Sequence, residues 1–391
     1  MFTLSASAML DRARDRGSAY ARRADASRRR PLRMAIAVAV SWAVFGCTSP
    51  TTSHFQYVFP DREIHVFDID QGHRSVKTVA VPEATIIRGV AAHPGTHRLY
   101  IAGDGETSDD AYVLAYDLIG DRVLWKQLYP PFVDSLCVTS DGRRLYVAYA
   151  MDKVLALDAA DGQALAAIPA TTGVHNVVCA PDGQRVYVGA GQSDTMTVIA
   201  TAQNSVLRHI GPFGGFVRPF TFDLQERWVF ANVNGLLGFE IADAHSGVIL
   251  HRLSPPGYAP TYPADFGPSH GIAMSPDGRE IWIADEPYNR VHVFNIAGLP
   301  DNAPTAVADI VLQGSLSAPG PRQGREGWLQ FNRDGRYVYV GDAGDVIEAA
   351  TRHIAMHLDA LANTRKMLEI DFERGVPVWA SSRASMGGAL N

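Results

Sequence analysis

The 391-residue chain reads as an all-β protein, a seven-bladed β-propeller, on three observations. A hairpin-forming unit recurs with starts 41 to 57 residues apart. Each copy is followed by a second alternating strand pair, and the two chain ends carry complementary parts of one more unit. Hydrophobic residues make up 47% and charged residues only 19%, enough for a large core, while 35 Gly and 23 Pro suit many short strands joined by turns.

The units are RGVAAHPGTHRLYIAG (88–103), DSLCVTSDGRRLYVAY (134–149), HNVVCAPDGQRVYVGA (175–190), RPFTFDLQERWVFANV (218–233), HGIAMSPDGREIWIAD (270–285) and GWLQFNRDGRYVYVGD (327–342). Five carry a turn glycine, at Gly95, Gly142, Gly183, Gly278 and Gly335, and the fourth has Gln225-Glu226 there. An apolar run, a two-residue turn of Asp-Gly type and an alternating strand make a β-hairpin. A second pair follows, as in KVLALDAADGQALAAIP (153–169), so each unit holds four antiparallel strands. One such sheet cannot bury both faces by itself, and stacked copies at this period form propellers.

The count closes at seven through the termini. HFQYVFPDREIHVFDIDQGHRSVKTVAV (54–81) supplies a second, third and fourth strand, and TRKMLEIDF (364–372) a first strand with little after it. Joined, they complete blade one and leave no open sheet edge. Trp125, Trp228, Trp282, Trp328 and Trp379 fall in strands, where packing between blades accounts for them, and no cofactor is inferred.

Two segments, SHGIAMSPDGREIWIADEPYNRVHVFNI and GRYVYVGDAGDVIEAATRHIAMHLDAL, resemble YVTN-repeat (YncE-like) β-propeller units, whose pattern runs from Pro-Asp-Gly through Val-Tyr-Val to Val-Ile-Asp-Thr-Ala-Thr. The resemblance spans roughly residues 54–380 and implies fold rather than activity. Relatives of that family include lactonase-like propellers, quinoprotein subunits and surface-layer proteins.

Upstream of this body, Arg28, Arg29, Arg30 and Arg33 precede the apolar run MAIAVAVSWAVFG, which ends at Cys47. A positive segment, an apolar stretch too short to span a bilayer and a small residue at the cut make an export signal over residues 1–46. VFGC resembles a bacterial lipobox, with Cys47 as acyl acceptor, Phe45 a departure at −2, and residues 47–53 a tether to a propeller over 54–391. Thr48 after the cysteine implies outer-membrane sorting; a soluble periplasmic protein is the alternative. Residues 1–27 read either as a long signal start or as sequence ahead of a true start near Met34.

Nine Arg and three Asp in 1–46, against a whole-chain net of −6, leave the remainder near −12. An acidic body repels phosphate backbones, so general nucleic-acid binding is not expected. Cys137 and Cys179 stand one position out of step relative to the turn, on opposite strand faces of neighbouring units, and are expected to be buried free thiols.

In a propeller the first strand of each blade lines the central channel and its leading residue faces the mouth. Those positions hold Arg88, Asp134, His175, Arg218, His270 and Gly327 with Glu326 beside it, and Arg365 on the closing strand. This ring is the candidate ligand site, with solvated polar lining as the alternative reading. Three guanidiniums favour a small anion such as a carboxylate or phosphate. No metal is assigned: His175 and His270 belong to blades two apart, too distant for shared ligation across a wide channel. No catalytic residue is assigned either, although the ring's acids and imidazoles would suit a lactonase-like hydrolase by general acid–base chemistry. A quinoprotein-type subunit is a third reading. The long connectors 254–269 and 314–326 enter the same face, where Tyr258, Tyr262 and Phe266 would wall a pocket. Asp104, Glu106, Asp109 and Asp110 are an acidic loop, solvated or holding a cation such as Ca²⁺. The function expected is that of a membrane-tethered binding or scaffold protein of the cell envelope, engaging a small anion or a partner protein on its top face.

Overall fold

Four of the repeats turn where a left-handed glycine follows the aspartate. Gly142, Gly183, Gly278 and Gly335 hold φ of 68°, 68°, 69° and 76°, which glycine adopts without a Cβ penalty. The aspartate locks the turn: Asp141 Oδ1 accepts from the Arg143 N–H at 3.0 Å and from the Thr139 hydroxyl at 2.6 Å. In the fourth unit Glu226 occupies this position at φ 52°, and its carboxylate accepts from Arg185 and Tyr187 of the preceding blade. In the first unit the left-handed residue is His97, at φ 56°, after a short 3-10 turn over Pro94–Thr96.

The computed structural model describes residues 51–316, 327–362 and 364–382. They form seven antiparallel sheets in a ring, a seven-bladed β-propeller. Blade two holds Ile86–His93, Arg98–Asp104, Tyr112–Asp117 and Arg122–Leu128. Blades three to seven start at Val133–Val138, Val174–Cys179, Val217–Phe222, Ile272–Met274 and Trp328–Phe331. The two inner strands of each sheet are apolar and buried, while the fourth strands alternate or lie exposed, as at Arg122–Leu128 and Thr305–Val311. The core is thus a set of layers between neighbouring blades. Trp282 of blade six, for example, meets Phe331 of blade seven edge-on at 5.4 Å.

Blade one closes the ring. Thr52–Val58 pairs with Met367–Glu373 in unbroken antiparallel register, from Thr52 opposite Glu373 to Val58 opposite Met367. The terminal segment does not stop there, as the sequence reading expects. Val376–Ala380 doubles back along Met367–Glu373 as a fifth, innermost strand. Ser381, just beyond it, accepts from Gln330 Nε2 at 2.7 Å and from the Glu369 N–H at 2.9 Å. Ser381 and Ser382 thereby line the lower channel beside Leu136, Cys137, Val177 and Cys179.

The expectation of free thiols is overturned: Cys137 and Cys179 form a disulfide, S–S 2.05 Å and Cα–Cα 5.6 Å. The parity is as expected, since Cys137 stands opposite Tyr146 while Cys179 stands opposite Val186. In a ring, however, the front of one blade packs on the back of the next. Tyr146 of blade three and Val186 of blade four share one core layer, and both cysteines belong to it. Opposite faces of adjacent blades are therefore the ones that meet.

The innermost added strand also seals two acids. Glu369 and Asp371 are both fully buried. Glu369 accepts from the Arg333 N–H at 2.5 Å, and Asp371 pairs with Arg333 Nη1 at 2.7 Å, while that guanidinium lies over Trp379 at 4.8 Å. Burial, reinforced by Asp371, pushes the Glu369 carboxyl well above the usual range. Burial also raises Asp371, against the opposing pull of Arg333 and His54.

Two outcomes are expected. Replacing Cys137 and Cys179 together by serine should lower the unfolding free energy by up to about 4 kcal/mol in urea titrations, the loop-closure value for a separation of 42 residues. For Glu369 and Asp371 the folded state holds its protons more tightly than the unfolded chain. Stability from this pair is therefore complete below the ordinary carboxylate range and is lost as pH rises through the elevated folded values. The slope approaches about 1.4 kcal/mol per pH unit for each proton held. Thermal melts across pH should show that decline, and Glu369→Gln, which keeps an acceptor for Arg333, should flatten it.

Candidate functional site

The first strands converge at the channel, and four of the ring residues sit in β-bulges there. The pairing of first and second strands skips between Ile87 and Gly89, Val133 and Leu136, Val174 and Asn176, and Val217 and Phe220. Arg88, Asp134, His175 and Arg218 fall in those gaps. A bulge re-aims the side chain it contains, and the same irregularity recurs at all four positions. His270 and Arg365 precede their strands instead. Glu326 lies outside the described residues.

The ring is divided into pairs. His175 Nδ1 meets Asp134 Oδ2 at 2.5 Å. The Asp134 side chain is 6% exposed and that of His175 28%, so a buried carboxylate orients a ring whose other edge reaches solvent. Ser135 reinforces the junction of blades three and four, donating to the His175 carbonyl at 2.7 Å and accepting from the Val177 N–H at 2.7 Å. Contrary to the separation expected from blade count, His175 and His270 lie close, with ring centroids 5.8 Å apart. The first strands meet near the axis, where two blades of angular separation amount to a few ångströms. His270 is 2% exposed and packs on Trp328.

The three guanidiniums differ in their partners. Arg88 Nε holds Asp104 at 2.7 Å, and Arg365 Nε lies 3.4 Å from Asp342. Arg218 makes the same intrablade contact as Arg88, to a residue 16 positions on, but there the partner is the neutral amide of Asn234. Two of the three cations thus face a carboxylate, and Arg218 faces an uncharged oxygen.

Asn234 also borders a cavity of about 410 Å³ with Gly214, Gly215, Phe216, Arg252, Tyr262 and Asp265. Glycine is required in this wall: a Cβ on Gly215 would stand 2.3 Å from the Asn234 carbonyl oxygen. Beneath it Arg252 pairs with the buried Glu240, which also accepts from the Gly214 N–H at 2.8 Å. Of the aromatics expected to wall a pocket, Tyr262 does so, backed by Phe266 at 5.8 Å. Tyr258 instead crosses to blade six, where it meets Tyr288 and His292 and donates to Asp309. In the acidic loop, Asp104 is held by Arg88, Glu106 by Arg62 at 3.3 Å, and Asp110 by the Thr107 hydroxyl at 2.8 Å. These carboxylates serve separate partners, and among the described residues no three His, Cys, Asp or Glu side chains converge as metal ligands.

Asn234 and Asp342, the partners of Arg218 and Arg365, were not expected from the sequence. The spacing of 16 between Arg88 and Asp104, repeated between Arg218 and Asn234, was the available signal for the first of these.

No family model matches the chain, and no curated protein matches it. Solved structures do resemble it in shape. A functionally unknown protein from Desulfotomaculum acetoxidans superposes with TM-score 0.61 at 14% identity, covering 80% of this chain and 98% of the other. Hydrazine synthase from Kuenenia stuttgartiensis superposes with TM-score 0.55 at 14% identity, covering 76% of this chain and 90% of the other. At such identity the likeness establishes the β-propeller fold and nothing finer.

Proposed function

We propose that the chain is an exported, membrane-tethered β-propeller of the YVTN-repeat (YncE-like) type that binds a small anionic ligand at the mouth of its channel. The observation that carries the ligand class is Arg218. Its contact in the described residues is an amide rather than a carboxylate, that of Asn234, a residue that also borders a cavity of about 410 Å³. A guanidinium without a carboxylate partner keeps its charge and fork of donors for a carboxylate or phosphate. The cell-envelope placement rests on the signal segment and Cys47. The bond between Cys137 and Cys179 supports it, because structural disulfides persist mainly in oxidising compartments. An envelope partner protein on the same face is a further expectation of this reading.

The Asp134–His175 pair favours a second reading, a lactonase-like hydrolase. A carboxylate fixing one imidazole nitrogen leaves the other as a general base.

Calorimetric titration with phosphate and with short dicarboxylates should detect binding by the full chain. Arg218→Ala should weaken it about tenfold or more, the scale of one charge-assisted hydrogen-bond pair. Arg88→Ala, whose cation is already matched by Asp104, should weaken it less. Equal losses, or none, would remove the anion reading, while lactone turnover abolished by His175→Ala would replace it with the hydrolase. For the anchor, Cys47→Ser should abolish palmitate labelling and move the protein from the membrane to the soluble fraction.

A further inference from the structure

His175 and His270 come from bulged or pre-strand positions of blades four and six, yet their ring centroids stand 5.8 Å apart with the planes inclined at 53°. Two imidazoles bound to one ion through nitrogens at about 2.0–2.1 Å place their centroids roughly 5–6 Å apart. The spacing admits two ligands sharing an ion. A second feature points the same way. His175 Nδ1 is held by the buried Asp134 carboxylate at 2.5 Å, which fixes the ring and directs Nε2 away from the strand. A carboxylate behind a histidine is the support that metal-bound imidazoles ordinarily have. Burial of His270 against Trp328 holds the second ring in place.

We propose that His175, through Nε2, and His270 bind a divalent transition-metal ion at the channel mouth, with Asp134 as a positioning residue. Two imidazole donors suit zinc, copper or nickel, and not calcium or magnesium, which take oxygen ligands. Among the described residues no third protein ligand converges. The remaining coordination positions belong to water or to an incoming anion. In that last respect the inference rests on the anion reading given above: an anion held by Arg218 would complete the coordination sphere.

The test uses the full, untagged chain, freed of metal by chelation and dialysis. Titration with zinc chloride should show one equivalent bound, and cobalt(II) should give visible absorption bands of nitrogen coordination. His175→Ala and His270→Ala should each weaken zinc binding at least tenfold. Asp134→Asn should weaken it roughly tenfold, at the low end of what loss of such a support costs. His65→Ala, on a blade-one strand away from the mouth, should bind like the parent. Circular dichroism of each variant checks that the sheet is intact. Zinc binding absent from the parent, or unchanged in both folded mouth-histidine variants, overturns the proposal. Phosphate titrations with and without zinc separate the two readings. Metal-independent phosphate binding that is lost in Arg218→Ala but kept in His175→Ala leaves the anion site standing even where the zinc titration overturns the metal site.

Discussion

Seven blades can converge on one axis only if the ring closes, and closure rests on the antiparallel pairing of Thr52–Val58 with Met367–Glu373. The two segments lie more than 300 residues apart in sequence, so this contact is the least local in the molecule. Its physical importance follows from the geometry of stacked sheets. Each blade buries both faces against neighbours, and a missing partner at either end would uncover a whole apolar layer as well as a sheet edge. The layer at stake joins Tyr57, Phe59 and Ile64 of blade one with Ile87, Leu99 and Tyr112 of blade two, and with Leu368 and Ile370 of the closing strand.

Closure fixes the inner radius, and the inner radius determines which side chains meet. First strands of adjacent blades lie close enough for Cys137 to bond Cys179 and for Asp134 to hold His175. The same convergence brings His270 within 5.8 Å of His175 across an intervening blade. Arg218 of that intervening blade is drawn aside by Asn234, and Gly267 lies against it where a Cβ would come within 3.0 Å of its Nε. The mouth is thus not a symmetric ring of equivalent groups. Asp134 and His175 pair across adjacent blades, and Arg218 stands on the blade between those of the two histidines.

The repeat and its turns were legible because they are written in local chemistry: aspartate oxygens that bond the next N–H groups, and a left-handed residue beside them. Closure was legible because the end pieces were complementary in strand count. What escaped was information held in three dimensions. The parity of Cys137 and Cys179 was read correctly, yet its consequence reversed once strands were seen as faces of successive blades rather than of one sheet. The separation of His175 and His270 was judged in blades, whereas distance at the axis scales with radius. The bulges at Arg88, Asp134, His175 and Arg218 have no glycine or proline in common to announce them; Gly89 and Pro219 mark two, and the others carry serine and asparagine. Val376–Ala380 gave no turn-flanked repeat to extend, because a fifth strand belongs to blade one alone.

That extra strand changes the inner edge of blade one, since the other blades end inward at their first strand. In blade one the chain turns back, and Ser381 and Ser382 reach the lower channel beside the disulfide and the apolar side chains of Leu136 and Val177. Leu136, Cys137, Val177 and Cys179 stand toward the ends of their first strands, while the bulged residues stand at the starts. The buried acids Glu369 and Asp371 lie behind this strand, tied to Arg333, whose guanidinium lies over Trp379. Asp134 and His175 stand near the starts, and Cys137 and Cys179 near the ends, of the same two inner strands, so the acid–imidazole pair and the disulfide are carried by opposite ends of one strand pair.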